Sequence, residues 1–269
     1  MHPLGSAVHR WSVLVLQFSV VAFGFGMNAA EVIRTGRAGF VYTAISIGAA
    51  MTAGWLLGRI LKVRPKASFL ISAGTAICGG SAIAALAPIT NPDEDELATS
   101  IGTVFILNAV ALFLFPVIGT VMHLSAHQFG LWSALAIHDT SSVIGAAAKF
   151  GPTALSLATI IKLTRALWIV PMVLVTGVLT RSNTRIRFPW FIALFCLAAL
   201  ANSYLPSPLS AKLSQAGHAG LALSLFLIGS AINRHILQQT GIRVIVQGLT
   251  LWLIVASASL FSIKAGWIN

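Results

Sequence analysis

Nine runs of mostly apolar residues, joined by connections too short to fold on their own, constrain this chain more than any other feature. They cover residues 11–27, 40–61, 67–89, 97–124, 129–148, 153–180, 188–205, 217–232 and 242–261. Each is close to the roughly 20 residues that carry a helix across a bilayer. No connection is longer than 12 residues, and the acidic one is 91–96, which leaves no room for a separate water-soluble domain. The expected fold is an all-α integral membrane protein with about nine transmembrane helices, a single polytopic domain over residues 1–269.

Composition supports this. Hydrophobic residues make up 57% of the 269 and charged residues 9%, against about 25% charged in soluble domains. Disorder is excluded, because it needs low hydrophobicity and high charge. Cys78 and Cys196 both sit in apolar runs and read as packing residues. The first run continues directly into further runs and has a poor cleavage site, so it reads as a span and not as a signal peptide.

The formal charge of +11 would suggest nucleic acid in a soluble protein. Here the basic residues are scattered between apolar runs, and no nucleic-acid partner is expected. With the runs alternating across the membrane, one side holds Arg10, Arg59, Lys62, Arg64, Lys66, Arg181, Arg185, Arg187, Arg234 and Arg243. The other holds Arg34, Arg37, Lys149, Lys212 and Lys264. This bias orients the chain in the cell (inner or plasma) membrane with its N-terminus cytoplasmic. The acids Asp93, Glu94, Asp95 and Glu96 fall on the outer side, and Trp11, Trp132, Trp190 and Trp267 read as interfacial aromatics near helix ends.

Of six acids only Asp139 lies within a run, inside the polar stretch His138-Asp139-Thr140-Ser141-Ser142. An ionisable group there costs roughly 2.5–3.5 kcal/mol unless it faces a partner or water. The stretch therefore reads as bundle-interior or locally unwound. The next run carries Lys162 and Arg165, three apart and so on one helix face. They either pair with Asp139 to join two helices or form a positive centre that receives an anion. The third run holds Gly74, Gly79, Gly80 and Ser81, and the paired glycines lower the cost of a helix break. The eighth has a similar interruption at Ile228, Gly229, Ser230, Ala231, Ile232 and Asn233. Two such interruptions point to a transporter site built from discontinuous helices, whose N-terminal ends suit an anion.

Other features are weaker. Asn108 is either a site ligand or an interhelical hydrogen bond; Pro116 and Pro171 should kink their helices; Gly54 and Gly58 form a GxxxG that this composition produces by chance. His123 and His127 have no metal-ligand partners, and no metal or cofactor motif is present.

From residue 74 to 171 the chain resembles the YeiH-type sulfate exporter family of bacterial membrane proteins. The resemblance rests on Gly74-Thr75-Ala76-Ile77-Cys78-Gly79-Gly80-Ser81-Ala82-Ile83-Ala84-Ala85, Phe115-Pro116, Phe129-Gly130-Leu131-Trp132, Ala136-Ile137-His138-Asp139-Thr140-Ser141-Ser142-Val143 and Lys162-Leu163-Thr164-Arg165-Ala166-Leu167-Trp168. It implies a transporter related to the bile acid and sodium symporter group, with two inverted five-helix repeats and one broken crossing helix in each. Mapped here, the repeats are about 11–124 and 129–262, the third and eighth runs are the crossing helices, and the first repeat is short of its opening helix.

The leading expectation is a secondary transporter of a small anion, sulfate or a sulfonate, coupled to a proton or sodium gradient. Substrate would meet Lys162, Arg165, Gly79, Gly80, Ser81, Thr140, Ser141 and Ser142; the coupling ion would meet His138, Asp139, Asn233 and Asn108. The alternative is a non-catalytic membrane subunit or channel-like component that needs a partner. An enzyme is not expected, because adjacent His138, Asp139 and Ser141 seldom converge as a triad. The bilayer, the anion and the coupling ion are the expected partners, with homodimerisation left open.

Overall fold

The computed structural model describes residues 3–180, 190–204, 207–230 and 242–268. Among them are twelve helices and no strand: α1 (Pro3–Gly24), α2 (Ala29–Ile60), α3 (Pro65–Ala76), α4 (Gly80–Thr90), α5 (Glu94–Val121), α6 (Ala126–Ala136), α7 (Thr140–Phe150), α8 (Pro152–Ala166), α9 (Ile169–Thr180), α10 (Trp190–Asn202), α11 (Ser207–Ser230) and α12 (Ile242–Lys264). Two compact units are present. The first combines Met1–Ala38 with Pro189–Ile232, the second Gly39–Phe188 with Asn233–Asn269.

In the first unit α1 packs along α10 and α11. Gly217 lets them touch: a Cβ there would lie 2.5 Å from the backbone nitrogen of Phe23. The Asn202 side chain donates to the carbonyl of Met27 at 3.2 Å. Cys196 on α10 faces outward and does not pack in the core.

The second unit has the polarity of a membrane protein. Lys162, Arg165, His138, Gln247 and Thr75 are buried, while Phe113, Val117 and Val121 of α5 and Val178 and Leu179 of α9 face outward. Among the described residues four helical stretches, Ala29–Ile60, Glu94–Val121, Pro152–Thr180 and Ile242–Lys264, are long and apolar enough to cross a bilayer.

The third apolar run is not one continuous helix. α3 and α4 turn back on one another, so that Lys66 in the first turn of α3 donates to the carbonyl of Asn91 just after α4, at 2.5 Å. Beside it Arg64 pairs with Asp93 at 2.6 Å. Near the turn, a Cβ on Gly74 would lie 3.1 Å from the Ile83 side chain. The reversal at residues 77–79 depends on Gly79, at φ 65° and ψ −128°, which a residue with a Cβ adopts only at a cost.

The fifth run folds back too. Phe129 at the start of α6 and Phe150 at the end of α7 stack with ring centroids 4.0 Å apart, and both rings crowd Gly119 in the last turn of α5. The turn at 137–139 is extended at Ile137 and Asp139. Each hairpin arm has 11 or 12 residues, about 17 Å of helix, or half of a bilayer core.

α5 links the hairpins. Its N-terminus is fixed at the base of the first by a capping box, Glu96 N–H donating to Asp93 at 2.7 Å and Asp93 N–H to Glu96 at 3.0 Å. After its C-terminus Ser125 and Gln128 make the same box at the start of α6. The hairpins therefore enter from opposite ends of α5. Their turns meet beside Asn108, the fifteenth of its 28 residues: a Cβ on Gly79 would lie 3.5 Å from both the Asn108 amide nitrogen and the His138 Cβ.

These fold-backs replace the nine-crossing reading. The acidic segment 93–96 lies at the same end as Arg64 and Lys66, not opposite them. Residues 122–127 move to the other end in exchange. Neither segment contains Lys or Arg, so the uneven distribution of basic residues between the two ends is unaltered. Trp132, read as interfacial, is buried, stacked on Phe115 at 4.2 Å and donating to the carbonyl of Ala256 at 2.9 Å. α11 is helical as far as Ser230; the rest of the interruption expected in the eighth run, Ala231, Ile232 and Asn233, lies outside the described residues. Gly54 and Gly58, set aside as chance, let α3 approach α2 where Cβ atoms would lie 2.6 and 2.8 Å from those of Ser72 and Ser68. A break does occur near Pro171, where α8 ends at Ala166 and α9 starts at Ile169; Pro116 lies inside a continuous α5.

Single cysteines at Lys62→Cys and Asp95→Cys, with Cys78 and Cys196 replaced by alanine, should react with a membrane-impermeant maleimide from the same side of sealed vesicles. Labelling from opposite sides would restore a crossing α3–α4.

Candidate functional site

Two helix C-termini, both buried, and two helix N-termini come together where the hairpin turns meet. Such ends carry backbone groups without intrahelical partners, and within a bilayer no bulk water satisfies them. The site follows from how each end is partnered.

The C-terminal ends are partnered by α8. This helix starts beside hairpin two, where Gly130 faces the backbone of Ala154, and carries Lys162 and Arg165 to the turns. Both are fully buried. Arg165 donates through Nε to the carbonyl of Ala76 at 2.6 Å and through Nη2 to that of Thr75 at 3.1 Å, at the end of α3. Its Nη1 reaches the carbonyl of Ala134 at 3.3 Å and that of Leu135, at the end of α6. The Lys162 Nζ spans the next pair, the carbonyls of Ile77 at 3.2 Å and Ile137 at 2.8 Å. On the other side of α6, the Trp252 indole donates to the carbonyl of Ala136 at 3.0 Å. Each cation thus bridges one hairpin to the other, and each lies at the negative ends of two helix dipoles.

The N-terminal ends differ from one another. Asp139 caps α7 with its own side chain, accepting from the Ser142 N–H at 3.2 Å and from the hydroxyls of Ser141 and Ser142. α4 has no side-chain cap, since Gly79 stands at the cap position. Its first turn opens on half-buried Gly80 and exposed Ser81. Asn108 accepts from the backbone N–H of Asp139 at 3.2 Å through Oδ1. Its Nδ2 is buried without a partner and faces the Gly79 turn. Both ring nitrogens of His138 and the hydroxyl of Thr75 are also buried and unpartnered.

The structure therefore brings together Gly79, Gly80, Asn108, His138, Asp139, Ser141, Ser142, Lys162 and Arg165. Thr140, half-buried, begins α7, and Ser81, exposed, is the second residue of α4. Asn233 lies outside the described residues. Neither sequence reading of the cations holds in full. Asp139 does not pair with Arg165; the ion pair among the described residues is Arg64–Asp93. Nor are the cations free to meet an anion: two of three ammonium donors and four of five guanidinium donors go to carbonyls. Among the described residues no cluster of His, Cys, Asp and Glu is placed to hold a metal ion.

Sequence reasoning overlooked Trp252 and Gln247, which tie α12 to the hairpins; Gln247 donates to the carbonyl of Gly54 at 2.9 Å and the Ser68 hydroxyl at 2.8 Å. A long amide inside an apolar run was the available signal. The second hairpin also had one, since Ala76-Ile77 followed by Ser81 recurs sixty residues on as Ala136-Ile137 followed by Ser141.

Arg165→Met should leave four carbonyls unpartnered at about 1–3 kcal/mol each before relaxation. Its melting temperature in detergent should fall by on the order of 10 °C, and an unchanged value would remove the clamp.

The family model described as Conserved hypothetical protein 698 matches residues 2–248. Similar relatives include UPF0324 membrane proteins of Bacteroides thetaiotaomicron, 45% identical over 93% of this chain and 78% of that one, and Porphyromonas gingivalis, 48% identical over the same shares. One from Geobacter sulfurreducens is 44% identical over 99% of this chain and 86% of its own. No solved structure matches.

Proposed function

The chain belongs to the Conserved hypothetical protein 698 family of membrane proteins, and on that footing we propose that it is a secondary transporter of a small anion, sulfate or a sulfonate. The observation that carries this reading is the uncapped N-terminus of α4, with the spare amide donor of Asn108 facing its Gly79 turn. Backbone N–H groups, an amide N–H₂ and the Ser81 hydroxyl form a donor-rich surface, and the dipole end adds positive potential. Asp139, the one carboxylate nearby, is engaged in capping α7.

The electrostatics agree. Two buried cations and two helix N-termini worth roughly half a positive charge each stand against two helix C-termini of the same size and one carboxylate, which leaves the centre a surplus of about one positive charge. Lys162 and Arg165 act by fixing the turns and supplying this field, not as direct ligands. His138, buried with both nitrogens unpartnered, and Asp139 are the groups able to respond to a coupling ion.

Hairpins entering from opposite ends suit alternating access, because each base opens toward a different side while the turns share one midplane site. Each hairpin is followed by a span, α5 or α8–α9, and this pairing supports two inverted halves centred on the third and fifth runs, in place of repeats over 11–124 and 129–262 centred on the third and eighth. The basic tally sets the N-terminus in the cytoplasm of a cell whose inner or plasma membrane holds the chain.

Purified chain in liposomes should move radiolabelled sulfate or a sulfonate down an imposed ion gradient. Asn108→Asp keeps the acceptor for the Asp139 N–H and replaces the spare donor with a carboxylate. It should lower flux by about tenfold or more, the worth of one hydrogen bond to a charged group. Wild-type flux unaltered in this variant would refute the site, and no flux from the purified chain would favour a subunit that needs a partner.

A further inference from the structure

In transporters built on discontinuous helices, the carbonyls at half-helix C-termini and in the unwound turns are where a coupling cation binds. In this chain seven of those carbonyls are already occupied. Thr75, Ala76 and Ile77 at the end of α3, and Ala134, Leu135 and Ile137 at the end of α6, all accept from Lys162 or Arg165. Ala136, between them, accepts from Trp252. Every carbonyl from Ala134 to Ile137, and from Thr75 to Ile77, therefore has a donor that belongs to the protein.

We propose that Lys162 and Arg165 are tethered replacements for a coupling cation: the hairpin turns of this chain bind no alkali ion, and its transport does not draw on a sodium gradient. The ammonium of Lys162 stands where such an ion would bridge the two hairpins, between the carbonyls of Ile77 and Ile137. Free ions leave and return with each cycle, whereas a covalently held cation keeps the turns joined throughout. Removing the ammonium leaves two inward-facing carbonyls and a buried space, which an alkali cation can fill. Arg165 cannot take over, because its reach is spent on Thr75, Ala76, Ala134 and Leu135.

The flux consequence rests on the transporter reading; the binding consequence does not. The test is melting of the full chain in detergent with NaCl, KCl or choline chloride at one ionic strength. Wild type should melt at one temperature in all three. Lys162→Ala should melt lower in choline and recover by about 3 °C or more in NaCl or KCl, as expected for a ligand that binds only the folded state. Lys162→Met, which fills the space without charge, should show no recovery. Stabilisation of wild type by sodium or potassium, a folded Lys162→Ala indifferent to both, or recovery persisting in Lys162→Met would each overturn the proposal. Should Lys162→Ala not fold, the wild-type comparison still decides. In liposomes, wild-type sulfate flux should be equal in sodium and choline, and sodium-dependent flux would overturn the proposal. Absence of any flux would instead remove the transporter reading, leaving the melting experiment to stand on its own.

Discussion

Two helix ends that stop inside a bilayer must find hydrogen-bond donors, and the architecture of the second unit follows from how they are found. A hairpin that enters a membrane halfway exposes its last carbonyls at the worst possible depth. Here one helix, α8, delivers both donors on one face, and because Lys162 and Arg165 are three residues apart each can reach both hairpins. A buried cation is costly alone; against two converging dipole ends it is compensated, and the compensation binds three elements at one point. Leu70, Ile71, Ile83, Leu86 and Val104 add an apolar core around the first hairpin, but that core does not specify where the turns meet.

Much of this was legible from residue type and spacing. Lys162 and Arg165 on one face, Asp139 as the lone intramembrane acid, and the Gly79-Gly80 break all lie at the central contact. Their roles were less legible. A Lys or Arg in an apolar run signals burial, not whether its partner is an anion or a row of carbonyls, since backbone acceptors leave no trace in a sequence. Hydropathy was equally silent on re-entry: 67–89 and 129–148 have the length and apolarity of spans, and only contacts between their ends, such as Lys66 with Asn91 and Phe129 with Phe150, reveal that they turn back. Gly54 and Gly58 show the converse, a common pattern whose meaning rests on Ser68 and Ser72 opposite.

The two N-terminal ends give the site its direction. α7 carries its own carboxylate cap and is electrostatically closed; α4 has a glycine at the cap position and is open. If both were capped by Asp, the N-terminus of α4 would offer no open dipole end; if neither were, Asp139 would be absent from the chemistry. Asn108 joins the two, holding the Asp139 backbone with its oxygen while its nitrogen faces the open end. On the transporter reading, Asn108 would connect an anion at α4 to the backbone of Asp139.

The clamp can be measured without reference to transport. In lipid bilayers, solid-state NMR dipolar recoupling between ¹⁵Nζ-labelled lysine and ¹³C-carbonyl-labelled isoleucine reports whether the Lys162 ammonium touches the turns. The account predicts contacts at hydrogen-bonding range to Ile77 and Ile137, lost in Lys162→Met. A Lys162 signal with no isoleucine carbonyl nearby would contradict it.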